Sequence, residues 1–360
     1  MSCSESAEQK KEPSVQKNPE DVKPDWVVND SINRFYRILT GIDEDSAVQG
    51  GNMAQQWNNM QSRLLDPIAT WKQTDLPEAC RNTSFVFYPF SGPDFIIPNA
   101  LFPGMKHMIM FGLEAPGNDI SHRGTNYAQT VLPKMKMALR DYFGKNYFIT
   151  GNMIKDLKSD SIRGVTPLIS TFITRSGFSI ISIKNFVLDS TGSKMYTANA
   201  NPIEDKIPGV EIRYTRDGKS DCMIDYLAFN AENHAMQKHG EILQFFDKNV
   251  PDQTCTYFKS ASYLMHYQGF SMVRDFCLKR SKYILEDDTG IPYKYLADQF
   301  DVKLWGIYEM PIRDFSGVFQ SDLDSFYRSR KDVGQLPFSM GYHYNNNHQN
   351  LMLATKKAVQ

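Results

Sequence analysis

The chain has no C-x-x-C pair, no surplus of positive charge and no long apolar run. Its five cysteines, Cys3, Cys80, Cys222, Cys255 and Cys277, are scattered, so neither a zinc ribbon nor a thioredoxin-type site is signalled and no disulfide framework is required. Lys plus Arg total 40 against 41 for Asp plus Glu. That balance lacks the cationic excess that phosphate backbones draw on, and nucleic acid is not expected as a partner. No stretch approaches the roughly 18 consecutive apolar residues of a membrane-spanning helix. His234 and His239 are five apart, as are His343 and His348, which misses the H-E-x-x-H spacing of a helical zinc site. There is no G-x-S-x-G elbow and no Walker loop.

What is present is an ordinary globular composition, 41% hydrophobic and 22% charged over 360 residues, enough to bury a real core. Ser4 to Lys23 is a run of Ser, Glu, Lys, Gln and Pro that buries too little apolar surface to offset the entropy of ordering it. The expected organisation is a polar disordered tail over 1–26 and one α/β domain over 27–360. Ser2-Cys3-Ser4 followed by this acidic polar stretch resembles the processed end of a bacterial lipoprotein. The resemblance implies lipidation of Cys3, a membrane association through that lipid alone and a place in the bacterial cell envelope. The alternative is a cytoplasmic protein.

Along the body, Ile32, Phe35, Tyr36 and Leu39 recur at helical spacing behind Asp30 or Ser31 as cap, with Gly41 as the stop. Trp57 to Trp71 repeats the pattern with a break or kink near Pro67. Phe85-Val86-Phe87-Tyr88 and Met108-Ile109-Met110-Phe111 are wholly apolar runs separated by a turn and a short helix, the mark of parallel strands covered on both faces. A helix from Tyr127 to Tyr142 follows, then Tyr147-Phe148-Ile149 as a short strand, a helix over 164–176 and a strand over 179–188. Turn signals at Asp189-Ser190-Thr191-Gly192 and Arg216-Asp217-Gly218-Lys219 predict two hairpins. Later helices are expected near 241–246, 270–282 and 320–330, and strands near 254–258, 302–308 and 351–355. The fold class is α/β, read as a three-layer, mainly parallel, Rossmann-like sheet with an antiparallel hairpin section.

The candidate site lies at Ser91-Gly92-Pro93-Asp94, after the first apolar strand, and at Glu114, after the second. Ligands of open α/β sheets bind at loops leaving the carboxyl ends of strands, and a glycine turn followed by an acid one strand later can hold a nucleoside. This arrangement is similar to class I methyltransferases, and Asn350 to Lys356 resembles the last strand of that fold. The resemblance implies S-adenosylmethionine as cofactor, with Gly92 and Glu114 in contact with it and Ser91 and Asp94 lining the same mouth. The first loop departs from that family in offering one glycine between Ser91 and Pro93. The alternative is that Ser91 or Asp94 caps a helix beyond a tight turn.

His122 and Arg123 are candidate catalytic residues, one to move protons and the other to hold an anion. Asp287 and Asp288, within Glu286-Asp287-Asp288-Thr289-Gly290, are candidate ligands for a divalent metal, or else form a turn that caps the next helix. Asp189-Ser190-Thr191-Gly192 resembles the phosphorylated aspartate loop of haloacid-dehalogenase-type phosphatases, but its return to a strand pattern favours a hairpin. The expectation is therefore an enzyme acting on a small molecule, methyltransferase-like in its site. The competing reading is a non-catalytic envelope lipoprotein that binds a partner or glycan.

Overall fold

A computed structural model describes residues 25–43, 51–157, 162–198, 205–343 and 349–358. Cys3 and most of the expected tail lie outside the described residues. Ten strands form one sheet: β1 (Phe85–Tyr88), β2 (His107–Gly112), β3 (Ser179–Leu188), β4 (Lys194–Thr197), β5 (Pro208–Thr215), β6 (Cys222–Ala228), β7 (Thr254–Phe258), β8 (Ser281–Glu286), β9 (Phe300–Gly306) and β10 (Asn350–Lys356). Their order across the sheet is β4-β3-β5-β6-β2-β1-β7-β8-β10-β9.

The sheet is mixed rather than mainly parallel. β6, β2, β1, β7 and β8 run parallel to one another, while β3, β4 and β5 join β6 through antiparallel pairings. β10 returns antiparallel between β8 and β9. The two expected hairpins supply the first antiparallel wing, because their turns are closed locally. Asp189 Oδ1 accepts from Thr191 N at 2.8 Å and Ser193 N at 2.9 Å. Asp217 Oδ1 accepts from Lys219 N at 2.9 Å and Ser220 N at 2.6 Å. The aspartate of the first turn is therefore a hairpin residue.

Both central strands are apolar along their whole length because alternate residues enter different cores. Val86, Tyr88, Met108 and Met110 pack with helices Asp30–Leu39, Tyr127–Lys145 and Thr166–Arg175. Phe85, Phe87, Ile109 and Phe111 pack with helices Glu241–Asn249 and Ser271–Arg280.

Three local expectations are corrected. The first helix is capped by Asn29, whose Oδ1 accepts from Ile32 N at 3.1 Å, rather than by Asp30 or Ser31. Pro67 does not break the chain into separated helices. A π-turn, Gln61–Leu65, joins helix Gly51–Met60 to helix Asp66–Asp75, and the proline sits in the first turn of that last helix, where its missing N–H matters least. Tyr147-Phe148-Ile149 is no strand but a half-buried segment leading into helix Thr150–Asp156. Among the described residues no helix is long and apolar enough to cross a membrane, and Cys80, Cys222, Cys255 and Cys277 are buried free thiols.

Candidate functional site

β1 lies where the strand order reverses: β2 and β6 follow on one side, β7 and β8 on the other. Loops leaving the carboxyl ends of adjacent strands diverge at such a point and leave a crevice. A cavity of about 680 Å³ opens there, lined by the ends of β1, β2, β6 and β7 and closed by residues around Tyr147, Phe315 and Tyr342. That volume suits a cofactor-sized molecule.

The β1 loop enters the cavity through two left-handed residues, Phe90 at φ +57° and Gly92 at φ +53°. Phe90 tolerates the strain by packing edge-on to Phe111 and Phe270. Ser91 N donates to Phe111 O at 3.0 Å, tying the loop to β2. On β2, a Cβ added at Gly112 would stand 2.7 Å from Glu114 Oε2 and 2.9 Å from the Tyr226 hydroxyl. A bare backbone is what leaves this wall open.

Asp94 lies at the floor. Its carboxylate accepts from the Tyr88 hydroxyl at 3.0 Å, from Lys259 Nζ at 2.5 Å and from the Tyr142 hydroxyl. Lys259 also donates to Asn146 O at 2.6 Å, and both members of the ion pair are buried. Tyr88 and Tyr142 are pushed well above the usual phenol range, by burial first and then by the Asp94 charge. Asp94 thus does not cap the following helix, Ile96–Leu101, which has no side-chain cap. It neutralises a buried lysine.

Glu114 is different. It is 5% exposed, its side-chain contact is the Tyr226 hydroxyl at 3.5 Å, and no cation pairs with it among the described residues. Burial raises its carboxyl above the usual range, with partial relief from its own and Leu113's backbone N–H and from Tyr226.

The β7 loop forms the third wall and is held in an unusual backbone shape. Ser260, Ser262 and Tyr263 all adopt left-handed φ between +52° and +54°. Three positions of this kind need surrounding structure to hold them, and the acids after β8 provide it. Asp287 Oδ2 accepts from Ser260 N at 2.9 Å, Thr289 Oγ1 from Ala261 N at 2.7 Å, and Asp288 Oδ2 from the Tyr263 hydroxyl at 2.6 Å. The Tyr342 hydroxyl donates to Ser260 O at 3.1 Å. Asn350 Nδ2 binds Asp288 Oδ1 at 3.0 Å, and Thr289 N binds Asp287 Oδ1 at 3.1 Å. Burial and the Asp288 charge push the Asp287 carboxyl up to about 6.

The structure brings Ser91, Gly92, Asp94 and Glu114 together on one cavity. It does not bring His122 and Arg123 there. They sit exposed on a 3-10 turn, Ser121–Arg123, with Arg123 bound to the Tyr127 hydroxyl at 2.6 Å. The chain leaving β2 is pinned by Val165 N to Ala115 O at 3.0 Å and Thr166 N to Pro116 O at 2.8 Å, and the turn that follows does not line the cavity. Asp287 and Asp288 lie behind the β7 loop and do not line the cavity. Nor do they cap the one-turn helix Tyr293–Leu296, whose cap position is Pro292. Among the described residues no group of three or more His, Cys, Asp or Glu is arranged to hold a metal ion. With their oxygens turned to backbone and side-chain donors, these two acids do not fit a divalent cation, which needs about six oxygen ligands.

Lys259, Ser260, Ala261, Ser262 and Tyr342 also line the cavity, and the sequence reading missed them. Lys259 had a usable signal, a charged residue directly after the apolar strand at 254–258, where loops of parallel sheets carry ligands. Tyr342 has no comparable signal. No family model, no curated protein and no solved structure matches the chain.

Proposed function

We propose that this protein is a small-molecule-binding enzyme with a Rossmann-like, three-layer, methyltransferase-type site that takes a nucleoside-bearing cofactor between the Ser91–Asp94 loop and Glu114. The observation that carries this reading is convergence: left-handed Gly92 after β1, bare Gly112 on β2 and the buried Glu114 carboxylate face one cavity at the strand-order reversal. Glu114 is placed to accept hydroxyl protons of a ribose, and the two glycines let a ligand approach backbone closely. The antiparallel return of β10 between β8 and β9 also supports the resemblance of Asn350–Lys356 to the last strand of class I methyltransferases.

The residues fit the nucleoside part of S-adenosylmethionine, which when bound supplies an electrophilic methyl group on a sulfonium. The first-loop acid departs from that family's use. Asp94 is engaged with Lys259, so Glu114 is the carboxylate available to a ligand. Binding is tested by calorimetry and thermal shift with adenosine and S-adenosylmethionine. At 100 times its dissociation constant a ligand stabilises the fold by about 2.7 kcal/mol, and Glu114→Ala should abolish the shift. Absence of a shift with either compound would sink the nucleoside reading.

A second reading, non-catalytic binding of a small molecule or glycan, is favoured by the exposed position of His122 and Arg123, which leaves the cavity without a histidine among its described lining residues. Binding without turnover of any acceptor would support it. For location we propose the bacterial envelope through a lipid on Cys3, supported by the Ser2-Cys3-Ser4 segment. Fatty-acid labelling that persists in Cys3→Ser would refute this.

A further inference from the structure

The charges around the cavity do not balance. Its described lining residues include four carboxylates, Asp94, Glu114, Glu232 and Asp314, and a single cation, Lys259. Lys259 is unavailable to a ligand anion, because its Nζ is held at 2.5 Å by Asp94 and at 2.6 Å by Asn146 O with both partners of the ion pair buried. Removing that neutral pair leaves Glu114, Glu232 and Asp314. Glu232 and Asp314 are exposed at the mouth and solvated, but Glu114 is buried with neutral donors and, among the described residues, no counter-charge. A buried carboxylate that has hydrogen-bond donors but no counter-charge still gains from a cation brought beside it.

Aromatic rings line the outer end of the same cavity. Phe315 and Tyr342 stack with centroids 5.7 Å apart and planes at 15°, and Tyr147 meets Tyr342 edge-on at 4.8 Å. The faces of such rings are negative and attract organic cations, and combined with carboxylates they discriminate against anions.

We propose that the cavity selects an organic ammonium compound, seated against Phe315, Tyr342 and Tyr147 and neutralising the field of Glu114, Glu232 and Asp314. The inference rests on the reading of this cavity as a small-molecule site and names the charge class of its ligand. Phosphorylated metabolites are excluded by the same field. The cation need not displace Lys259, whose charge is already answered by Asp94.

The test uses the full chain and three probes of one shape: choline, its uncharged tert-butyl isostere and the matching tert-butyl carboxylate, each titrated by calorimetry. Choline should bind about tenfold more tightly than the isostere, and the carboxylate should not bind, for a cation desolvated against aromatic faces. Asp314→Asn and Phe315→Leu should each weaken choline roughly threefold to fivefold, the scale of one exposed ion pair or cation–π contact. Both positions are at least partly exposed, and unchanged thermal unfolding verifies that the variants fold. The proposal is overturned if the isostere or the carboxylate binds as tightly as choline, if none of the three binds, or if neither substitution weakens choline. Adenosine titrated in parallel separates the two readings. Adenosine binding without cation preference removes the charge selection alone, whereas cation preference without adenosine binding removes the nucleoside reading and leaves this one standing.

Discussion

The floor and the wall of the cavity each hold a buried carboxylate, and the two are treated in opposite ways. Asp94 on the floor is saturated by Lys259, Tyr88 and Tyr142. Glu114 on the wall is met by neutral donors alone, the Tyr226 hydroxyl and its own and Leu113's backbone N–H, with no cation beside it among the described residues. A fully answered charge is a structural element that locks the β1 and β7 loops together. An unanswered one is held in place by the fold at a cost in stability, and such sites are where ligands act. The difference teaches that two carboxylates buried on one cavity can differ in kind, one answered by a counter-charge and the other by neutral donors alone.

The comparison can be broken most sharply at Lys259. Lys259→Met leaves the Asp94 carboxylate in the interior with the Tyr88 and Tyr142 hydroxyls but no counter-charge, and the loss should be about 3–5 kcal/mol, whereas Asp94→Asn with Lys259→Met should recover most of it, since replacing both members of a buried pair is close to neutral. Urea unfolding of the two proteins measures this, and equal losses in both would show that the pair is not a closed unit. Next in size is Gly112→Ala. Its Cβ would fall 2.7 Å from Glu114 Oε2, so overpacking of about 1–3 kcal/mol is expected, together with loss of adenosine binding as Glu114 is displaced. Retained binding at wild-type affinity would remove Glu114 from the site.

Glu114→Gln probes the wall by pH. The folded carboxyl is raised above its unfolded value by burial, so its contribution to stability is present below the unfolded pKa and is lost as pH rises through the folded one. Wild type should therefore lose stability relative to Glu114→Gln as pH climbs through that interval, and curves that stay parallel across it would contradict the assignment. His122→Ala should have the smallest effect, within about 0.5 kcal/mol in stability for an exposed side chain. Ligand affinity should not change. A large loss of binding would mean that the 3-10 turn closes over the mouth in the complex.

Legibility in the sequence followed the range of the interaction. β1 and β2 were readable because strands covered on both faces must be apolar throughout, and the hairpins because an aspartate closes its own turn two to four residues away. Ser91, Gly92 and Glu114 were legible as residues that line one cavity because loops leaving neighbouring parallel strands meet at a strand-order reversal. Tyr147-Phe148-Ile149 was misread because three apolar residues are too few to distinguish a strand from a cavity wall. His122 and Arg123 were misplaced because nearness in sequence to the loop after β2 says nothing of the hydrogen bonds from Val165 and Thr166 that pin it.

The sequence by itself determined the α/β class, most of the strands and helices, and the strand-end loop that lines the cavity, since periodicity and turn chemistry act within a few residues. Only the tertiary structure decided the mixed order of the sheet, the pairing of Asp94 with Lys259 across 165 positions, and the isolation of Glu114. Those depend on which distant groups share a low-dielectric interior, and a charge is costly or cheap there according to neighbours that local sequence does not encode.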